Sequence, residues 1–132
     1  MMPRMSHIAA IALVLSSTAA LADQHGNDLV HARELNGSVF MMNQYHMSLY
    51  TFDGDGDGVS NCYGTCAETW PPALLPADAE LGENYSLIER DDGTMQIAYK
   101  GHPLYLYSGD NSIGDVNGEG IDGTWRISRP LP

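Results

Sequence analysis

The chain has 132 residues, with seventeen Asp and Glu against six Lys and Arg, for a formal net charge of −11. Nucleic acid and anionic membrane surfaces both recruit basic patches, so this balance argues against either as a partner and leaves a cation, a basic surface or plain solubility. Two cysteines in a chain of this length argue for one modest core with at most one disulfide.

Arg4 precedes the apolar run Ile8 to Leu15, and small residues follow as far as Ala20-Leu21-Ala22. This is the pattern of an export leader, residues 1–22, cut before Asp23. The run is shorter than the roughly 20 apolar residues that span a bilayer, and no later segment approaches that length, so membrane insertion is not expected. The expected address is periplasmic or secreted, and the mature chain keeps five cations against seventeen acids, a net of −12.

Residues 23–36 mix Asp, Gln, His, Gly and Asn, and read as a flexible N-terminal arm ahead of a single domain at 37–132. Ser38 to Asn43 and Leu49 to Phe52 are short runs rich in β-forming residues and predict strands. Asp53-Gly-Asp-Gly-Asp-Gly58 between them and the cysteines predicts a loop, because alternating glycine is entropically poor in helix or strand. Asn61 to Trp70 predicts a short helical segment, stopped by Pro71-Pro72. Tyr85 to Arg90 and Met95 to Lys100, joined through Asp92-Gly93, predict a hairpin. Gly101-His102-Pro103 predicts a turn into a strand at Leu104 to Tyr107. An acidic, glycine-rich loop follows to Gly123, and a last strand is predicted at Thr124 to Ser128. The fold class is mainly β, or β-rich α+β, with antiparallel strands in two pseudo-repeated halves and one short helix near the cysteines.

The halves are visible as an internal repeat. Leu49-Tyr50-x-Phe52-x-x-Asp55 and Leu104-Tyr105-x-Tyr107-x-x-Asp110 are offset by 55 residues, as are Trp70 and Trp125. Matched positions sharing one offset in so short a chain imply two units with one plan, about 38–72 and 94–128. Residues two apart share a strand face, so each Tyr and its second aromatic form one wall. Each Asp falls at a strand exit, where a carboxylate fixes the following turn by accepting backbone N–H groups.

These residues resemble the family of bacterial secreted and lipoprotein repeats with the Yx(FWY)xxD motif. The likeness runs through Ser60 to Cys66, Trp70-Pro71-Pro72, Asp92-Gly93, Lys100 to Tyr105, Gly114 to Gly118 and Trp125. It implies an exported protein with repeat architecture and no established activity. The chain departs from the lipoprotein pattern in lacking a lipid-acceptor cysteine at the leader cut, and its Asp-Gly-Asp-Gly-Asp-Gly loop is not required by the motif.

Cys62 and Cys66 in an oxidising compartment predict a disulfide, which by chain entropy stabilises by about 2 kcal/mol. A thiol–disulfide redox role fits less well, since such chemistry uses Cys-x-x-Cys in a βαβ setting. Asp53, Asp55 and Asp57 open like a calcium loop, and Asp115, Asn117 and Glu119 repeat that spacing, but neither run has the closing bidentate Glu. Met41, Met42, His46 and Met47 group soft ligands suited to Cu(I), although strand alternation sends the first two to opposite faces. His25, His31 and His102 have no evident partner. No nucleophile–base pair, zinc pair or phosphate loop is present. The leading reading is a non-enzymatic binding or structural module that requires no cofactor and whose partner is unknown, a cell-envelope component being the candidate, with Ca²⁺ or copper binding as the main alternative and a thiol–disulfide redox protein as the second.

Overall fold

The computed structural model describes residues 29–132. The expected leader and the first part of the expected arm, with His7 and His25, lie outside the described residues. The rest is mostly antiparallel strand in small sheets, with one short helix and one 3₁₀ turn.

The first hairpin pairs β1 (Val30–Leu35) with β2 (Ser38–Asn43) around Asn36 and Gly37, both at positive φ. A two-residue loop with both centres left-handed matches the twist of the strands it joins. Val30–Leu35 therefore extends the sheet, where the composition of 23–36 predicted a flexible arm. Alternation across the hairpin, invisible from β1 alone because three of its residues are exposed, supplies the order.

β3 (Tyr50–Phe52) comes next, then the helix α1 (Thr65–Thr69) beside the cysteines, as predicted. β4 (Leu74–Leu75), β5 (Tyr85–Glu89), β6 (Met95–Tyr99) and β7 (His102–Pro103) form one sheet, in which β6 pairs with the other three. The β5–β6 turn is held by Asp92, whose Oδ1 accepts both the N–H and the hydroxyl of Thr94, and these bonds lower its carboxyl below the usual range. The turn after β6 falls at Lys100 and Gly101, both at positive φ, so His102–Pro103 is already strand. Leu104 to Tyr107, predicted as a strand, makes only single bridges, from Tyr105 to Tyr50 and to Pro72. The last strand, β8 (Trp125–Ile127), follows a 3₁₀ turn and pairs with β3.

Two buried clusters divide the core. One gathers Val30, Met41, Leu49, Ala73, Leu75, Ile97, Tyr99 and Leu104. The other gathers Phe40, Met42, Tyr50, Cys62, Trp70, Tyr105, Trp125 and Ile127. Met41 and Met42 serve different clusters, as period-two alternation requires.

Candidate functional site

The two Tyr-x-aromatic-x-x-Asp motifs meet at the centre of the second cluster. Tyr50 N–H donates to Tyr105 O at 2.8 Å, and Tyr105 N–H returns the bond to Tyr50 O at 2.9 Å. Around this pair the contacts repeat with the halves exchanged. Asp53 N–H donates to Thr124 O at 2.8 Å, and Ser108 N–H donates to Thr69 O at 2.9 Å. Ser128 N–H bonds Leu49 O, and Ala73 N–H bonds Leu104 O. The segment after each tryptophan thus pairs with the tyrosine-bearing segment of the other half.

The side chains follow the same exchange. Tyr50 OH donates to Asp110 Oδ2 at 2.7 Å, and Tyr105 OH donates to Asp55 Oδ2 at 2.6 Å. Each carboxylate's other oxygen fixes its own loop, Asp55 Oδ1 accepting Asn61 N–H and Asp110 Oδ1 accepting Asn117 N–H. The expected turn-fixing role of the aspartates is therefore present, but each also receives a phenol from the opposite repeat.

The tryptophans lie on the same axis. Trp70 and Trp125 stack at 3.9 Å between ring centroids with 3° between planes. Each meets its own tyrosine edge-on, Tyr50 at 5.3 Å and Tyr105 at 5.1 Å. Each also lies against the second aromatic of the other motif, Trp70 on Tyr107 and Trp125 on Phe52, both at 4.5 Å. The result is one four-ring stack whose outer members are half-buried and whose inner pair is buried. Aromatic pairs in such arrangements contribute about 0.5–1.5 kcal/mol each beyond area burial.

Burial raises Tyr50 and Tyr105 above the ordinary phenol range, and the hydrogen bonds to Asp110 and Asp55 raise them further. Both phenols are therefore held neutral, as donors. Burial also raises Asp55 and Asp110, opposed by those same tyrosine bonds and by the Asn61 and Asn117 amides, which favour the ionised form. Nothing in the composition of these glycine-rich loops signals desolvation of their carboxylates. It is the packing of the opposite repeat that supplies it.

Residues beyond the motif complete the centre. Gly54 and Gly109 lie under the rings of Phe52 and Tyr107, where a Cβ would collide with the aromatic. Asn61 Nδ2 donates to Gly54 O, and Asn117 Nδ2 donates to Gly109 O. Both glycines share the offset of 55, so the repeat itself carried the signal. Arg90 is buried and belongs to one half alone, donating to Ser60 Oγ, Gln96 Oε1 and Cys62 O. With the Tyr105 proton committed to Asp55, Ser60 OH donates to Tyr105 Oη at 2.6 Å. No repeat position announces Arg90.

The cysteines form the predicted Cys62–Cys66 disulfide, with Cys62 fully buried. The proposed metal groups are not brought together. Asp53 pairs with Arg126, Asp55 serves Tyr105 and Asn61, and Asp57 lies beside Gly101. In the second loop Asp115 Oδ2 accepts the amides of Asn111 and Ser112, Asn117 bonds Gly109, and Glu119 accepts Ile127 N–H. Met41 and Met42 are buried in different clusters, away from the exposed-side turn that holds His46 and half-buried Met47. Among the described residues no three His, Cys, Asp or Glu side chains are grouped to hold a metal ion. No helix among them is long and apolar enough to cross a membrane.

Comparison with known proteins agrees with the repeat. A family model described as a secreted repeat of unknown function matches residues 38–74 and again 86–128. No curated protein and no solved structure matches the chain. With two copies of the family's unit covering more than half its length, the chain belongs to this family of secreted repeats of unknown function.

Proposed function

We propose that the chain is a non-enzymatic extracytoplasmic module, a binding or structural protein of the periplasm or the medium, built as one domain from two interlocked units. The observation that carries this reading is the reciprocal exchange of phenol and carboxylate between the repeats. It commits the hydroxyls of Tyr50 and Tyr105 and one oxygen each of Asp110 and Asp55 to holding the halves together. A general base takes a proton from substrate, whereas each of these carboxylates accepts a phenol and a backbone amide within the fold, one on each oxygen. What such a centre supplies is rigidity, which lets the acidic loops and the hairpin edges present a preformed surface to a cell-envelope component.

The reading is tested by expressing the full chain with its leader, then fractionating and cross-linking. The processed chain is expected outside the cytoplasm and cross-linked to an envelope component in a saturable manner. Unprocessed chain in the cytoplasm would overturn the address. Turnover of an envelope component that disappears in a folded Asp55→Asn or Asp110→Asn variant would overturn the non-enzymatic assignment.

A further inference from the structure

The β1–β2 hairpin carries a patch whose chemistry runs against the charge of the whole chain. His31 and Arg33 are two apart on β1 and so project from one face. The turn after β2 brings Gln44 and His46 to them. Asn43 fixes that turn: its Oδ1 accepts the amides of Tyr45 and Met47, both at 3.0 Å, and its carbonyl accepts His46 N–H at 2.9 Å. His46 is held there at φ 61°, in the left-handed region. The rings of His31 and His46 meet edge-on at 5.1 Å, and Arg33 Nη1 lies 3.2 Å from His46 Nδ1. These four residues line a depression of about 370 Å³, and no carboxylate is in its wall.

The protonation pattern makes this wall a set of donors. Arginine is always protonated, so Arg33 donates to His46 Nδ1 and the proton of the neutral ring resides on Nε2. His31 Nδ1 is buried without a partner among the described residues. Orphaned buried N–H groups are rarer than orphaned acceptors, which places that ring's proton on Nε2 as well. Both imidazoles then present N–H, beside the remaining guanidinium N–H groups and the Gln44 amide. The other described arginines are already engaged: Arg126 with Asp53, Arg129 with Ser38 and Val39, Arg90 in the buried network.

We propose that this depression binds a small soluble oxyanion of the phosphate class. A guanidinium fork matches phosphate oxygens, and donors converging from a strand and a turn suit a tetrahedral ion better than a planar one. A metal cation would meet the Arg33 charge and find His46 Nδ1 occupied. An extended anionic surface would be repelled by the net charge of −11, whereas a small ion meets the donors inside the roughly 8 Å over which physiological salt screens that field.

The test is titration of the purified chain with inorganic phosphate at constant ionic strength, followed through the ring resonances of His31 and His46 and by calorimetry. Both rings are expected to respond together and saturate at one phosphate per chain. Arg33→Gln, at an exposed position, is expected to keep the unfolding midpoint and to weaken binding about tenfold or more, the affinity equivalent of one charge-assisted hydrogen bond. His46→Gln, which retains an amide donor, is expected to weaken it less. Vesicles of phosphatidylglycerol are expected not to sediment the chain. A linear, unsaturated response unchanged in Arg33→Gln would overturn the site. Sedimentation with vesicles without a response to free phosphate would overturn the choice of ligand. Zn²⁺ or Cu²⁺ moving both rings equally in the wild type and in Arg33→Gln, with phosphate inert, would reassign the patch to metal.

Discussion

If the halves are exchanged as the contacts require, energetic coupling should follow the exchange and not the motif. The perturbation is a pair of double-mutant cycles on Tyr50→Phe, Tyr105→Phe, Asp55→Ala and Asp110→Ala. Tyr50 OH and Asp110 meet at 2.7 Å and Tyr105 OH and Asp55 at 2.6 Å, with both tyrosines fully buried. Hydrogen bonds to charged groups contribute about 1.5–3 kcal/mol, so each tyrosine substitution should cost about that much. Each substitution also removes an acceptor, Tyr105 Oη for the Ser60 hydroxyl and Tyr50 Oη for the Gly118 N–H, so the two losses should be similar. For a domain of this size each 1 kcal/mol lowers the midpoint by about 4–8 °C, so even the smaller loss is resolved by thermal or urea unfolding. The coupling energies of Tyr50 with Asp110 and of Tyr105 with Asp55 should be about 1–2 kcal/mol, and those of Tyr50 with Asp55 and Tyr105 with Asp110 should be clearly smaller. Larger coupling within each motif than across motifs would refute the exchanged arrangement.

The remaining predictions come from the same centre. Since burial raises both phenols above their unfolded value near 10, the folded state keeps two protons that the unfolded chain loses at alkaline pH. Their contribution is intact below pH 10 and lost above it at about 2.7 kcal/mol per pH unit, so a stability flat from pH 9 to pH 11.5 in urea titrations would contradict it. Cys62→Ser with Cys66→Ser should cost about 2 kcal/mol, and a midpoint unchanged by the double substitution or by reductant would count against any stabilising role for the loop. Gly118→Ala should destabilise by about 1–3 kcal/mol, because its Cβ would stand 2.7 Å from Trp70 and 2.9 Å from Tyr50; a neutral result would show that the stack yields. Split chains of residues 29–81 and 82–132 should each be unfolded by circular dichroism and fold on mixing, since each leaves its tyrosine without a carboxylate and its tryptophan without a stacking partner. A cooperative transition in either piece alone would argue that the units are independent.

The strands at 38–43 and 95–99, the hairpin at Asp92-Gly93, the disulfide and the repeat could all be read from local pattern, because each depends on alternation, turn chemistry or compartment. Val30–Leu35 could not, since β1 has an exposed middle and takes its order from pairing with β2. Leu104 to Tyr107 erred the other way. Its aromatic alternation satisfies a strand template, yet the turn at Lys100 and Gly101 starts the pairing early and Tyr105 spends its bonds on Tyr50 and Pro72. The carboxylates of the calcium reading are not grouped for a related reason: at alternate positions they converge on a cation only if the loop curls around it. Here Arg126 takes Asp53, Tyr105 and the Asn61 amide take Asp55, and backbone amides take Asp115 and Glu119.

The offset of 55 residues identified which side chains form the centre but was silent on their partners. A Tyr–Asp bond within a motif and one between motifs use identical residue types at identical spacing, so no single-sequence pattern separates them. Separation comes from chain geometry. The aspartate sits three residues past the second aromatic, after a glycine folded under that ring, and there its carboxylate has turned away from its own tyrosine into the seam between the halves. The phenol it receives is the one arriving from the other repeat, and the second motif makes the same bond with the halves exchanged. A motif repeated twice is the minimum that closes such an arrangement. The family model's two matches within this one chain agree with it.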